Sequence, residues 1–242
     1  ANDGKIRPLY IPQRGIISSK LLKSENEILI GTDKGKSKIF DISSGNQKGE
    51  TLIHPGIIVD VTESIDGTML ATSSDIGSVR VWKRSDLSKP ILSLGEITAN
   101  QTLTKQNINF GPNGKTLWIH SNKGTECWDI SNNEKIYELR RPWYGKTSKV
   151  SPDRLALITN IRSWVRVFNM KTPNEPTAFS IKVGSPIKDY IISNTNNFVA
   201  VSTEDNFLKI WDFNKTSDPK YELEFNSTVN SLHQIKNSNL IV

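Results

Sequence analysis

Cysteine is almost absent. Cys127 stands alone in 242 residues, so no internal disulfide framework can hold the chain and the fold must come from a buried core. A single thiol points to a reducing, intracellular setting, cytoplasmic or nuclear. Histidine is nearly as scarce, with three scattered residues and no Cys/His metal spacing, so neither a metal nor a cofactor is expected. Apolar residues never run for the roughly 18 positions a spanning helix needs, so the chain reads as soluble with no membrane span. The basic and apolar regions of a signal peptide are missing too. Ala1 in place of an initiator Met implies a processed chain or an excerpt of a longer one.

Catalytic signatures are also lacking. The sequence has no Gly-rich phosphate loop, no Gly-x-Ser-x-Gly elbow and no His-Glu-x-x-His pair, and it is not expected to be an enzyme. Ser151-Pro152-Asp153 reads as a turn, and Cys127 beside Trp128 reads as a buried, inert thiol. The net charge of +6 favours acidic partners weakly, because Lys and Arg are spread along the chain. No stretch keeps a 3.6-residue apolar period, which excludes a mainly helical fold.

What the chain does have is repetition. Short alternating runs close on an aromatic residue at Phe40, Trp82, Trp128, Phe168 and Trp211, with spacings of 42, 46, 40 and 43 residues. Each unit carries the same internal order. An alternating run such as Ile57-Ile58-Val59-Asp60-Val61 is followed by a polar turn, Ile65-Asp66-Gly67 here and Pro112-Asn113-Gly114 elsewhere. A second run ends in small polar residues, as in Ala71-Thr72-Ser73-Ser74-Asp75. A third ends at the aromatic, and a polar loop leads to a fourth, such as Pro90-Ile91-Leu92-Ser93-Leu94. Period-2 alternation bounded by Gly, Pro, Asn and Asp predicts strands and turns.

These units resemble the WD-repeat family along nearly the whole chain. Trp128-Asp129 and Trp211-Asp212 keep the literal Trp-Asp pair. The unit near residues 54–94 matches best, with His54 in the place of the family histidine. The resemblance implies a buried hydrogen-bond network of His54, Thr72 (or Ser74), Asp75 and Trp82. The chain departs from the pattern in having no Gly-His dipeptide and in carrying Lys83 and Asn169 after two of the aromatics.

The resemblance implies an all-β fold, a β-propeller of four-stranded blades in one domain spanning 1–242. Five units are expected at about 16–50, 56–95, 103–139, 144–181 and 187–225. Val229–Ile235 and Asn239–Val242 read as two strands of a sixth blade, completed by residues 1–12, so that both termini share it. Open edges and an unburied seam penalise an unclosed ring. Six blades of about 40 residues fit the length, and a seven-bladed ring with residues missing or an open, partnered arc are the alternatives.

In this family, partners often dock on the narrower face, where the fourth-to-first and second-to-third loops lie. The unit near 144–181 stands out there. Arg140, Arg141, Trp143 and Tyr144 precede it, and Arg162 and Trp164 lie in its second-to-third turn, where the best-matched unit has Ile76 and Ser78. Arg, Trp and Tyr are the residue types enriched at interaction hot spots. The expected function is a non-catalytic scaffold or sensing domain that binds protein partners on this face. A nucleic-acid-binding propeller with a basic surface is the alternative, and an enzyme with a channel active site is a third possibility.

Overall fold

The computed structural model describes residues 11–95, 106–121, 123–140, 148–151, 153–174, 178–193, 198–213 and 218–233. These residues form twenty strands and no helix, grouped in five four-stranded antiparallel sheets whose strands follow one another in chain order. Sheet 1 holds β1 (Ile16–Leu21), β2 (Glu27–Thr32), β3 (Lys36–Asp41) and β4 (Gln47–Ile53). Sheet 2 holds β5 (Ile58–Glu63), β6 (Met69–Ser74), β7 (Val79–Lys83) and β8 (Leu92–Leu94). Sheet 3 is β9 (Asn107–Phe110), β10 (Thr116–Ser121), β11 (Gly124–Asp129) and β12 (Glu134–Arg140). Sheet 4 is β13 (Ser148–Val150), β14 (Ala156–Ile161), β15 (Trp164–Asn169) and β16 (Ala178–Lys182). Sheet 5 is β17 (Ile187–Ile192), β18 (Phe198–Thr203), β19 (Phe207–Asp212) and β20 (Tyr221–Glu224).

Repetition reaches down to single hydrogen bonds. The first hairpin of every sheet is closed by the same amide-to-carbonyl bond: Leu22 to Glu27, Ser64 to Met69, Gly111 to Thr116, Ser151 to Ala156 and Ser193 to Phe198, all at 2.8–3.0 Å. A bulge falls at one place in three first strands, where the register slips between Ile16 and Ser18, Ile58 and Asp60, and Ile187 and Asp189. Just beyond the second strand, Asp33, Asp75 and Glu204 each donate their amide to the residue ahead of the first strand, at Gly15, Ile57 and Pro186. A bulge bends a strand and adds local twist, so its recurrence gives these sheets one shared curvature.

The chain divides into two compact units, Ala1–Ile108 and Asn109–Val242. In the first, alternate residues of sheets 1 and 2 meet in a core of Leu22, Leu29, Ile39, Leu52, Ile58, Val61, Leu70 and Trp82. Burying each such side chain contributes about 1.5–3 kcal/mol. An ion network skirts this core: Arg84 bridges Glu27 and Glu63, and Lys48 bridges Glu27 and Asp41. In the second unit, sheets 4 and 5 share Ile158, Val165, Val167, Ile181, Tyr190, Val199, Val201 and Trp211. Sheets 3 and 4 share Trp118, Cys127, Leu157, Phe168 and Met170. Trp118 fills the gap between these two sheets, with its ring 6.2 Å from Tyr137 and 6.3 Å from Phe168.

Val229–His233 is not in a strand, although its alternation reads as one. A strand is defined by its pairing, and the partner expected for it, Asn239–Val242, lies outside the described residues, as do residues 1–10. Even so, Leu232 is buried against Ala200 and Leu208 of sheet 5, and its amide donates to Asp189 Oδ2 at 2.9 Å.

Candidate functional site

Two regions carry the site residues expected from sequence. The first surrounds His54, which lies just after β4. His54 and Trp82 are both buried, with ring centroids 6.3 Å apart. The imidazole Nδ1 lies 3.1 Å from the Pro55 carbonyl, the Thr72 backbone is the ring's other polar neighbour, and the buried Thr72 Oγ1 has no hydrogen-bond partner. Burial pushes the imidazole down to about 4, the backbones of Pro55 and Thr72 oppose this, and the charge of Arg80 adds to it. Asp75 turns elsewhere, and its Oδ1 accepts from the Ile57 amide at 2.8 Å. His54 and Trp82 thus share a packed core position, while Asp75 fastens the turn to the start of β5.

The second region is the β14–β15 hairpin. Arg140 ends β12, paired with Gly124, while Arg141, Trp143 and Tyr144 lie outside the described residues. Arg162 and Trp164 are described, and both are exposed, the indole by 43%. The reason is local. In sheets 1, 2 and 5 the second-to-third turn opens before the acidic residue, and Gly35, Gly77 or Asn206 supplies a left-handed φ. In sheet 4, pairing continues through Asn160–Val165 and Ile161–Trp164, so only Arg162 and Ser163 remain to turn the chain. Arg162 accordingly takes φ +52°, a conformation that costs an L-residue about 1–2 kcal/mol. The longer ladder carries Trp164 out to the tip of the sheet.

Strand geometry then assembles a cluster around the indole. Arg166 lies two residues along β15 and therefore on the same face, about 7 Å away. Lys182 pairs directly opposite Trp164 on the edge strand β16, which sets their Cβ atoms roughly 5 Å apart. Arg166 Nε donates to Ser180 Oγ at 3.3 Å. Its guanidinium also faces Tyr137, whose phenol burial raises and Arg166 pulls back down. Neither Arg166 nor Lys182 was foreseen from sequence. Alternation alone flags Arg166, but Lys182 emerges only from the β15–β16 register.

This cluster can hold an anion and stack against a planar or apolar group, and it contains no nucleophile paired with a base. Cys127 is buried in the sheet 3–sheet 4 core with its thiol pushed up to about 12 by burial. Among the described residues, no three His, Cys, Asp or Glu side chains gather as a metal site, and no helix is long and apolar enough to cross a membrane. The sequence matches no protein-family model and no curated protein.

Proposed function

We propose that this chain is a WD-repeat-type β-propeller acting as a non-catalytic, intracellular interaction scaffold or as the sensing domain of a longer polypeptide. Its partners bind at the tip of sheet 4. The carrying observation is the exposed Trp164 with Arg162 in the adjoining turn, Arg166 two residues along the same strand face and Lys182 directly opposite. A large exposed indole among cations gains little for folding, whereas it supplies contact area and directional donors to a partner.

The propeller reading draws its support from a contact that repeats. Asp60, on the first strand of sheet 2, accepts at 2.9 Å from the amide of Ile108, on the first strand of the next repeat. Asp189, at the matching bulge of sheet 5, accepts from the amide of Leu232 in the same way. By this analogy Val229–His233 occupies the first-strand place of a sixth blade, to be completed by the two chain ends. Exposed apolar rows on the outermost strands fit that scheme: Ile16, Ile17 and Leu21 on β1, and Tyr221 and Leu223 on β20.

The test is affinity capture with the intact chain as bait, beside an Arg141→Glu/Arg162→Glu variant. Partners retained by the wild type should be lost by the variant, with a melting temperature within about 2 °C, since exposed substitutions change stability little. Equal retention by both baits, or a large loss of stability, would overturn the reading.

A further inference from the structure

We infer that Ser185 is a phosphorylation site for a proline-directed serine kinase, and that the phosphate unlatches the second-to-third turn of sheet 5. This goes beyond the scaffold reading, and its test needs no partner.

The first argument is access. Two stretches carry serine, then proline, and a basic residue in the fourth place: Ser151-Pro152-Asp153-Arg154 and Ser185-Pro186-Ile187-Lys188. A proline-directed kinase takes such a segment as extended chain. Proline presets that form for the serine before it and brings no N–H into the cleft. The structure separates the two stretches. Ser151 is buried, and its hydroxyl donates to Asp153 Oδ1 at 2.6 Å and accepts the Ala156 amide at 2.9 Å, which commits it to the first hairpin of sheet 4. Ser185 lies in the connection from β16 to β17, between the exposed Gly184 and Pro186. A Cβ added to Gly184 would meet nothing within 4 Å, so the approach from that side is open.

The second argument is what the hydroxyl holds. In sheet 2, two bonds tie the entry of the first strand to the turn. The Asp75 amide donates to the Ile57 carbonyl, and the Ile57 amide donates to the Asp75 carboxylate. Sheet 5 keeps the first bond, from the Glu204 amide to the Pro186 carbonyl at 2.9 Å, but Pro186 has no amide proton to give. The Ser185 hydroxyl takes over by donating to Asp205 Oδ2. A bond made by a side-chain oxygen can be removed by chemistry on that oxygen. In the transfer, Ser185 Oγ bonds to the γ-phosphorus of ATP, and the bond from that phosphorus to the bridging oxygen breaks to release ADP. The hydroxyl proton passes to a carboxylate of the kinase. The donor is then gone, and a charge of about −1.5 to −2 stands against Asp205 and repels it. Of the cations near this turn, Lys188 lies 3.9 Å from Glu204 and Lys209 pairs with Glu222 at 2.9 Å. Beside Asp205, Asn206 accepts the Phe225 amide at its carbonyl and the Thr228 hydroxyl at its side chain. The turn therefore also fastens the segment that leads to Leu232.

The test treats the full chain with a purified proline-directed serine kinase and Mg-ATP, followed by intact mass and peptide mapping. Phosphate should enter at Ser185 while Ser151 stays unmodified, and Ser185→Ala should abolish incorporation. No incorporation at Ser185, or equal incorporation at Ser151, would overturn the inference. Hydrogen–deuterium exchange then compares the phosphorylated and unmodified chains. The Glu204 and Phe225 amides should exchange about tenfold faster or more after phosphorylation. Ser185→Ala, which removes the bond without adding charge, should give a smaller increase. Asp205→Asn should shrink the effect of the phosphate, since the repelled carboxylate is gone. Unchanged exchange at these amides, or an equal gain in Asp205→Asn, would overturn the unlatching.

Discussion

The second-to-third hairpin of sheet 4, counted from Ala156 to Phe168, is one residue shorter than that of sheet 2, counted from Met69 to Trp82, and the two spend their side chains in opposite directions. In sheet 2, Asp75 faces inward to hold the Ile57 amide, Gly77 provides the left-handed residue, and the buried Ser74 and Ser78 bond to one another across the turn. In sheet 4 the ladder runs one pair further, to Ile161–Trp164, the left-handed residue of the two-residue turn is Arg162, and the tip displays Trp164. One turn closes the fold. The other has been released from closing it, and a strained Arg beside an exposed Trp is the pattern expected where a surface is kept for binding.

The sharpest contrast lies between the tryptophans. Trp82→Ala should destabilise by about 3–5 kcal/mol, since it empties a buried site, whereas Trp164→Ala should change stability by less than about 0.5 kcal/mol. Urea denaturation of both variants measures this, and similar losses would erase the distinction. Next in size is the pH response of the sheet 2 region. His54 is held near 4 in the folded chain against an ordinary value near 6.5, so between those values the unfolded chain binds the extra proton and stability falls as pH falls. That loss amounts to about 3 kcal/mol across the window, complete near pH 4. The urea midpoint of His54→Gln should be flatter from pH 6.5 to 4 than that of the wild type, and parallel curves would contradict the burial argument.

Smaller effects sharpen the comparison at the turns themselves. Asp75→Ala should cost about 1 kcal/mol, because the Ile57 amide loses its acceptor, and thermal denaturation reads this directly. Arg162→Gly has the opposite sign. It should leave stability unchanged or raise it by about 0.5 kcal/mol by relieving the left-handed backbone, while weakening partner capture. A gain in stability with a loss of binding is the signature of a residue retained for function.

The strands were legible because period-2 alternation and Gly, Asn and Asp turns both report backbone pairing, which is local. The second strands, ending at Thr32, Ser74 and Thr203, stop at the small polar residues that marked them in sequence. What stayed hidden depends on register or on contacts across distant segments. The amide bonds from Ile108 to Asp60 and from Leu232 to Asp189 join residues 48 and 43 positions apart, and no local pattern announces them. The expected sharing of one network by His54 and Asp75 was drawn from a resemblance, and the side chains face different partners. At the candidate site, residue type pointed to Arg162 and Trp164. The one residue fewer between Ala156 and Phe168 than between Met69 and Trp82 was the unread sign that this hairpin turns differently.

Exchanging Ile161-Arg162-Ser163-Trp164 for the sequence of Ser74-Asp75-Ile76-Gly77-Ser78, which lies between the matching pairs Asn160–Val165 and Ser73–Val79, tests most directly whether the sheet 4 tip serves binding rather than folding. Melting temperature and capture of the wild-type chain's partners are measured on the same preparation. Stability should hold or rise, and partner capture should disappear. A graft that melts about 5 °C or more lower while still capturing those partners would show that this hairpin holds the sheet together and that recognition lies elsewhere.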